Sequence, residues 1–387
     1  MIKIAVITST RAEFGLLMPL INALRYYESD QLKVELVVTG THLCDEYGHT
    51  INEIEKSNIR IDKQIRIPVA SQTALDISKN QAETLVKFTE LFFKERYKAI
   101  VILGDRYEML SIAIAAGNTQ TPIFHLCGGD TTEGALDEWV RHSITKMSYL
   151  HFVTNKESYD RVVQLGENPD RVFNYGSTSI DNIRKITLLS KQEALKSINL
   201  DECQYALCTY HPVTMENFKI EKEISDFLTA LKEFPEIEFI ITKSNADQGG
   251  AQINALLDTA EKSIKNVHVF SSLGVVRYLS LMKYAMFVLG NSSSGIIETP
   301  VFHIPTVNIG DRQKGRLQSE STINCGAGTK NIVNAIKTAL SDEYKEICKT
   351  VLSPYGSGCA AEQIAEKIVS VVTDEKIDLK KKFYDLK

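Results

Sequence analysis

Charged side chains recur directly after short apolar runs in this chain. Arg11 follows the first run, and Asp105 with Arg106 follows the run AIVIL. An arginine at a strand-to-helix turn can pair with a phosphate, although Arg11 could equally be a surface cation paired with Glu13. An aspartate beside an arginine at the mouth of a sheet is costly to bury and useful for acid–base chemistry; the alternative is that Asp105 caps the next helix.

A glycine pair in the segment HLCGGD begins a second acidic region. Two glycines after a strand permit close backbone approach or positive φ angles. Three carboxylates then fall within eight residues, namely Asp130, Glu133 and Asp137. They could transfer protons, and an acidic helix start is the alternative for Asp137. His125, Cys127 and Asp130 lack the spacing and the second cluster of a metal site, so we expect no metal.

The second half of the chain carries a histidine and a hydroxyl-rich turn after its own apolar runs. His211 follows the run YALCTY and could be structural or contact a ligand. The turn GNSSSG follows YAMFVL, and its backbone N–H groups with Ser292 and Ser293 could hold a phosphate, unless the serines only cap a helix. Glu298, about one turn further on, could accept hydrogen bonds from ribose hydroxyls, and Arg316 adds a cation.

Short β-branched runs alternate with longer amphipathic segments along the whole chain. Runs as apolar as IAVIT are typical of strands covered by helices on both faces, and the alternation predicts parallel sheets with right-handed crossovers. The 387 residues suit two doubly wound α/β domains. We predict domains at 1–170 and 185–355, joined by a connection at 167–185, with ligands in the cleft beyond the carboxyl ends of the strands.

The same pattern assigns the individual elements. We predict strands near 2–8, 32–38, 60–68, 98–103, 121–125, 150–154, 205–212, 237–242, 266–270, 284–289 and 305–309. We predict helices near 15–27, 46–57, 74–96, 106–118, 137–149, 157–165, 217–234, 249–262, 273–282, 295–302 and 359–372.

Bulk composition excludes several classes of protein. The net charge is −5 with both signs spread along the chain, so no basic block favours nucleic acid or an anionic membrane. Seven cysteines form no CxxC pair, which favours a reducing compartment over a disulfide framework or a zinc site. The first apolar run is too short for a signal peptide, and no stretch approaches the ~18 apolar residues of a membrane span. We therefore expect a cytoplasmic protein.

These segments together resemble the hydrolysing UDP-N-acetylglucosamine 2-epimerases of sialic and nonulosonic acid synthesis. The similarity runs in order over about residues 1–370 and is carried by TSTRAEFG, GTHLCDEYG, LGDRYEML, GGDTTEGALDEWVRHSITKMSYLHF, HPVT, KSNAD, GNSSSGIIETP and NIGDRQKGR. The resemblance implies the GT-B fold with two Rossmann-like domains and a C-terminal helix, about 359–387, that packs back on the first. It also implies a homo-oligomer, either a dimer or a tetramer.

The resemblance also implies site roles. Asp105 and Asp137 match carboxylates that do acid–base work, and His42 matches an active-site histidine. The UDP-sugar contacts would come from Arg11, Arg106, His211, Asn245, Ser292, Ser293, Glu298 and Arg316. Some relatives have a carboxylate where this chain has Cys127, and a thiol cannot easily replace it as a base. Either Asp130 or Glu133 then takes that role, or the role is less essential.

The implied reaction converts UDP-N-acetylglucosamine and water to N-acetylmannosamine and UDP, by anti-elimination of UDP through 2-acetamidoglucal. One alternative substrate is nucleotide-linked N,N'-diacetylbacillosamine, as in legionaminic acid synthesis. A non-hydrolysing 2-epimerase and a GT-B glycosyltransferase are further alternatives, although a transferase has no obvious use for the acidic residues of the first half. No G-x-G-x-x-G motif is present, so we expect no NAD and no other cofactor.

Overall fold

The computed structural model describes residues 1–45, 50–69, 73–132, 137–212, 220–244, 249–374 and 376–386. The chain forms two compact units. The first comprises Met1–Thr131, Asp137–Asn182 and Tyr355–Lys387, and the second comprises Thr132–Leu136 and Ile183–Pro354. Each unit is built around its own parallel sheet.

The first unit contains a seven-stranded sheet in the order β3-β2-β1-β4-β5-β6-β7. Its strands are β1 (Ile2–Thr8), β2 (Leu32–Thr39), β3 (Lys63–Ile65), β4 (Ala99–Leu103), β5 (Ile123–Leu126), β6 (Leu150–Val153) and β7 (Val172–Asn174). All pairings in it are parallel. The central strand β4 is buried at every residue, because helices cover both faces of the sheet.

The helices of the first unit are α1 (Arg11–Arg25), α2 (Ile51–Lys56), α3 (Ala74–Glu95), α4 (Tyr107–Asn118), α5 (Asp137–Met147), α6 (Lys156–Gln164), α7 (Thr178–Lys185, which runs across the boundary) and the last helix, α15 (Ala360–Asp374). Helix α15 packs against α1, and its buried apolar side chains join the same core as those of α1. Asp181 accepts the backbone N–H groups of Ala360 and Ala361, at 3.1 and 2.5 Å, and so caps α15.

The second unit contains a six-stranded sheet in the order β10-β9-β8-β11-β12-β13. Its strands are β8 (Tyr205–Thr209), β9 (Glu238–Thr242), β10 (Val267–Phe270), β11 (Val288–Gly290), β12 (Thr306–Ile309) and β13 (Thr322–Cys325). Its helices are α8 (Lys191–Lys196), α9 (Ile220–Leu231), α10 (Gly250–Ser263), α11 (Gly274–Tyr284), α12 (Ser293–Ile297), α13 (Thr329–Leu340) and α14 (Asp342–Thr350).

Several predicted boundaries were wrong. The segment 167–185, predicted as a connection, contains β7 and α7, and β13 with helices α13 and α14 was not predicted. Strand β7 is a three-residue edge strand, and so short a run gives no period from which to infer a strand. The strand predicted at 60–68 is confined to Lys63–Ile65. Helix α1 begins four residues earlier than predicted, because Thr10 caps it through a reciprocal bond with Glu13.

Both sheets reverse their strand order at one point, between β1 and β4 in the first and between β8 and β11 in the second. Ligands of doubly wound sheets bind beyond the carboxyl ends of the strands at this reversal. The segments that begin at Ser9 and Gly104 flank the first reversal, and those that begin at Tyr210 and Asn291 flank the second. Within the described ranges, no helix has the length and apolar content that a bilayer crossing requires.

Candidate functional site

The first sheet brings Asp105 and Arg141 together at its carboxyl edge. The Arg141 side chain is 2% exposed, and its Nε and Nη2 groups both donate to Oδ2 of Asp105, the Nε bond at 2.8 Å. Its Nη1 group donates to the backbone oxygen of Asp130 at 2.6 Å and to Glu138 at 2.8 Å. Burial would lower the pKa of Arg141, but these carboxylates raise it. A buried permanent cation therefore holds the predicted catalytic carboxylate.

Asp130 is tied to the neighbouring helix. Its Oδ1 accepts hydrogen bonds from the hydroxyls of Thr154 and Ser158, both at 2.7 Å, and the residue is 8% exposed. Gly129 has a φ of +78°, and a Cβ there would lie 2.3 Å from the backbone oxygen of Ser158. The glycine pair thus permits the close approach that we predicted for it. The observed contacts of Asp130 fix this loop, whereas its role as a base stays a prediction.

His42 lies fully buried beneath the same edge. Its Nε2 is 3.1 Å from Thr8 Oγ1 and its Nδ1 is 2.9 Å from Thr50 Oγ1, and its ring packs edge-on against Phe14. Burial lowers the pKa of His42 to about 4. The imidazole is therefore neutral near pH 7 and engaged at both nitrogens, and its predicted active-site role stays a prediction.

Three further predicted residues of the first half have different environments. Asp137 is exposed at the first position of α5. Arg11 is 43% exposed at the start of α1, with Nη1 3.7 Å from Oε1 of Glu53. Arg106 occupies the N-cap position of α4 without a side-chain capping bond, and it is partly buried. Glu133 and Asn245 lie outside the described residues.

A buried carboxylate pair beside Arg106 was not predicted. Glu13 and Glu108 both contact the hydroxyl of Ser9 at 2.9 Å, and Arg106 Nε donates to Glu108 at 2.7 Å. We singled out Glu13 only as a surface partner of Arg11. The sequence carried one signal for this pair: each glutamate falls at a position within the apolar stripe of its helix, which is the buried face. Arg141 was missed for the same reason, since it lies on the buried face of α5.

The hydroxyl-rich turn of the second sheet begins α12. Ser292 caps this helix by accepting the N–H of Ser294 at 3.4 Å. The Ser294 hydroxyl donates to Oε2 of Glu298 at 2.6 Å and accepts from Tyr278 at 3.0 Å. Burial raises the pKa of Glu298 to about 7, against the opposing effect of the Ser294 bond. Glu298 can therefore donate or accept a hydrogen bond near neutral pH.

Asn291 joins the turn to the end of β8. Its Oδ1 accepts the N–H of His211 at 2.7 Å, and its Nδ2 donates to the His211 oxygen at 2.8 Å. Its own backbone oxygen accepts from Arg312 at 3.0 Å and from Gln313 at 2.8 Å. Burial and then the Arg312 charge lower the pKa of His211 to about 3, so the predicted UDP contact presents a neutral ring. Arg312, which we did not assign, lies in the segment that ends with the half-buried Arg316.

Gly290 shows why this turn needs glycine. Its φ is +136°, and a Cβ there would lie 1.9 Å from the backbone oxygen of Thr209. The two strands at the reversal therefore touch at their ends, which only glycine allows.

Among the described residues, no group of three or more His, Cys, Asp or Glu side chains is arranged to hold a metal.

The chain resembles characterised proteins over almost its whole length. It matches the family described as UDP-N-acetylglucosamine 2-epimerase over residues 25–369. It is 40% identical to the GDP/UDP-N,N'-diacetylbacillosamine 2-epimerase (hydrolyzing) of Campylobacter jejuni, covering 89% of each chain. It is 35% identical to the polysialic acid biosynthesis protein P7 of Escherichia coli, covering 99% of this chain and 97% of that protein. It is 32% identical to a UDP-N-acetylglucosamine 2-epimerase of Neisseria meningitidis, covering 88% of each.

Solved structures agree on the fold. The crystal structure of a UDP-GlcNAc 2-epimerase from Neisseria meningitidis bound to UDP-GlcNAc superposes with a TM-score of 0.82 at 19% identity, covering 95% of this chain and 100% of that chain. At this identity the likeness concerns the fold alone, and it confirms the predicted GT-B class with two Rossmann-like sheets. The family match and the relatives above 30% identity confirm the resemblance seen in the sequence. The chain belongs to the UDP-N-acetylglucosamine 2-epimerase family, in its hydrolysing subtype.

Proposed function

We propose that this protein is a hydrolysing 2-epimerase of a nucleotide-linked 2-acetamido sugar, whose substrate is nucleotide-linked N,N'-diacetylbacillosamine. The observation that carries the reaction class is the Asp105 carboxylate held by buried Arg141 at the strand-order reversal. The substrate choice rests on the 40% identical relative, whose name specifies that sugar. Our first expectation, UDP-N-acetylglucosamine, is the second candidate, supported by the 32% identical relative.

The chemistry explains why a carboxylate must be held in this way. Loss of the nucleoside diphosphate breaks the C1–O bond and acidifies the hydrogen at C2. A carboxylate removes that proton, and the products of this step are the nucleoside diphosphate and a 2-acetamidoglycal. Water then adds its oxygen to C1 while an acid delivers a proton to C2 from the opposite face. The net products are the free C2-inverted sugar and the nucleoside diphosphate, with no electron acceptor required.

Asp105 and Asp137 are the proposed proton-handling pair. Arg141 keeps Asp105 in place through two hydrogen bonds to one oxygen, which orients the other oxygen as an acceptor. Asp137 begins α5, the helix that carries Arg141, and its exposure suits proton exchange with water. Asp130, Glu133 and His42 are secondary candidates for proton transfer.

Each strand-order reversal carries its own part of the proposed nucleotide contacts. Arg11 and Arg106 supply cations, and developing charge on a leaving diphosphate is stabilised by such fixed donors. Ser292 and Ser293 would supply hydroxyl groups to the diphosphate, and Glu298 would form hydrogen bonds with the ribose hydroxyls. His211, Asn245 and Arg316 complete the proposed set of contacts.

Product analysis with both sugars tests this function. Purified protein is incubated separately with UDP- and GDP-linked N,N'-diacetylbacillosamine and with UDP-N-acetylglucosamine, without acceptor, and NMR follows the free sugar. We expect stoichiometric nucleoside diphosphate and C2-inverted sugar, with the highest kcat/KM on a diacetamido substrate. A higher kcat/KM on UDP-N-acetylglucosamine would make the second candidate correct. Inverted sugar still linked to UDP would indicate a non-hydrolysing enzyme, and no turnover without acceptor would indicate a glycosyltransferase.

We further propose a cytoplasmic homo-oligomer that pairs through α3. Leu75, Val86 and Phe93 are 62, 57 and 73% exposed, and their spacings of 11 and 7 residues place them on one stripe of this helix. A two-fold axis would let an identical stripe on a second copy cover them. Light scattering of the wild type and of Phe93→Glu tests this: we expect a dimer or tetramer that the variant dissociates, and a monomeric wild type would contradict it.

A further inference from the structure

Two glutamates are buried together under the carboxyl edge of the first sheet. Glu13 of α1 and Glu108 of α4 are 5% and 2% exposed. The hydroxyl oxygen of Ser9 lies between them, 2.9 Å from Glu13 Oε2 and 2.9 Å from Glu108 Oε1. The remaining oxygens, Glu13 Oε1 and Glu108 Oε2, are buried without a hydrogen-bond partner. Two ionised carboxylates in such a place repel each other and lose their hydration.

The Ser9 hydroxyl contacts two carboxyl groups, but it cannot donate a hydrogen bond to both of them. The Ser9 hydroxyl has one hydrogen and can donate to one carboxylate at a time. The second contact is a hydrogen bond only if a carboxyl group contributes a hydrogen of its own. Arg106 Nε donates to Glu108 Oε1 at 2.7 Å, so Glu108 has a cationic partner. Among the described residues, the groups that contact Glu13 Oε2 are neutral: the N–H groups of Ser9 and Thr10, at 2.8 and 3.1 Å, and the Ser9 hydroxyl. The proton therefore belongs on Glu13.

We propose that Glu13, Ser9 and Glu108 form a one-proton relay that positions the Arg106 guanidinium for the substrate diphosphate. Glu13 acts here as a positioning residue, through Ser9 and Glu108. With one proton in the relay, the two carboxyl groups and Arg106 sum to zero charge. The inference rests on the proposed function at one point, namely that Arg106 meets the diphosphate.

The charges around Glu13 give the relay a pH dependence. Burial and then the charge of Glu108 raise the pKa of Glu13 to about 7, while Arg106 and the Ser9 bonds act in the opposite direction. Loss of the proton above that pH leaves two carboxylates against one guanidinium. The second carboxylate then competes with the diphosphate for Arg106, so nucleotide affinity falls as pH rises.

Infrared spectroscopy detects the proton directly. Glu298 also has a pKa raised to about 7, so the measurement uses Glu298→Gln, which leaves the relay intact. We expect a protonated-carboxyl C=O band that disappears with a midpoint near pH 7 and is absent when Glu13→Gln is added. A Glu298→Gln protein without such a band would overturn the relay, and this result is available even if the double variant does not fold.

Calorimetric titration with UDP tests the positioning role. The dissociation constant is measured at about pH 6 and about pH 8.5, and comparison between proteins cancels the titration of UDP itself. We expect the ratio of the two constants to be about three- to tenfold larger in the wild type than in Glu13→Gln. Glu95→Gln, at the opposite edge of the sheet, is the matched control and should keep the wild-type ratio.

The outcomes separate the two proposals. Equal ratios in the wild type and Glu13→Gln would overturn the positioning role. If the wild type does not bind UDP at either pH, the proposed function fails, whereas the infrared band still decides whether the relay holds a proton.

Discussion

The carboxylates at the two edges of the first sheet differ in whether both of their oxygens have a hydrogen-bond partner. At the amino edge, both oxygens of Glu95 accept from lysines, Lys3 at 2.7 Å and Lys63 at 2.9 Å. Both oxygens of Glu35 are also bonded, one to Lys33 at 2.9 Å and one to Tyr97 at 2.7 Å. At the carboxyl edge, Glu13 and Glu108 each leave one buried oxygen without a partner.

The pKa values follow this difference. The Lys3 and Lys63 bonds lower the pKa of Glu95 to about 2, whereas burial raises that of Glu13 to about 7. Carboxylates with a partner for both oxygens stabilise a fold, whereas carboxyl groups whose pKa is raised by burial cluster at sites that bind and react. The amino edge is therefore expected to serve stability and the carboxyl edge to serve chemistry.

The largest expected effect is that of Asp105→Asn at the carboxyl edge. The amide cannot accept a proton, so we expect kcat to fall by about 10³, or ~4 kcal/mol of barrier. Steady-state kinetics with calorimetric UDP binding checks this. Normal turnover in a variant that still binds UDP would show that the proton-handling pair is misassigned.

Arg141→Lys tests whether Arg141 positions Asp105, and it should lower kcat by less than Asp105→Asn does. Lysine keeps the positive charge but cannot donate two bonds to one carboxylate oxygen with fixed geometry. We expect kcat to fall about 10- to 100-fold while KM changes little. A loss confined to KM would instead place Arg141 in substrate binding.

Glu95→Gln probes the amino edge. It removes two ion pairs, so we expect unfolding at pH 7 to become easier by about 1–2 kcal/mol without a change in kcat. The pKa of Glu95 is lowered from 4.5 to about 2, so its contribution is present above about pH 4.5 and is lost as pH falls toward 2. Denaturant unfolding at several pH values measures this contribution to stability. A fall in kcat would show that the amino edge also serves the reaction.

Glu13→Gln should change stability with the opposite dependence on pH. The Glu13 pKa is raised from 4.5 to about 7, so its contribution is full below about pH 4.5 and is lost as pH rises through 7. Relative to Glu13→Gln, we expect the wild type to lose about 3 kcal/mol of unfolding free energy over this interval. A difference in unfolding free energy between the wild type and Glu13→Gln that stays the same at all pH values would contradict the raised pKa.

The sequence was sufficient for the architecture because long apolar runs and strand-end motifs leave local patterns. It placed Asp105 and the GNSSSG turn correctly after their strands. It could not reveal the bond between Asp105 and Arg141, because residues 36 positions apart meet only through the sheet. It likewise missed the Glu13–Glu108 pair, since a glutamate on the buried face of a helix looks like any other until its neighbours are known.

The proposed reaction removes the proton at C2 and returns a proton to the opposite face, and deuterium labelling detects this exchange. The wild-type protein is incubated with its nucleotide sugar in D2O, and the free sugar is examined by NMR. We expect one deuterium at C2 with inverted configuration, formed at the rate of nucleoside diphosphate release. A free sugar that keeps its original hydrogen at C2 would contradict the proposed reaction.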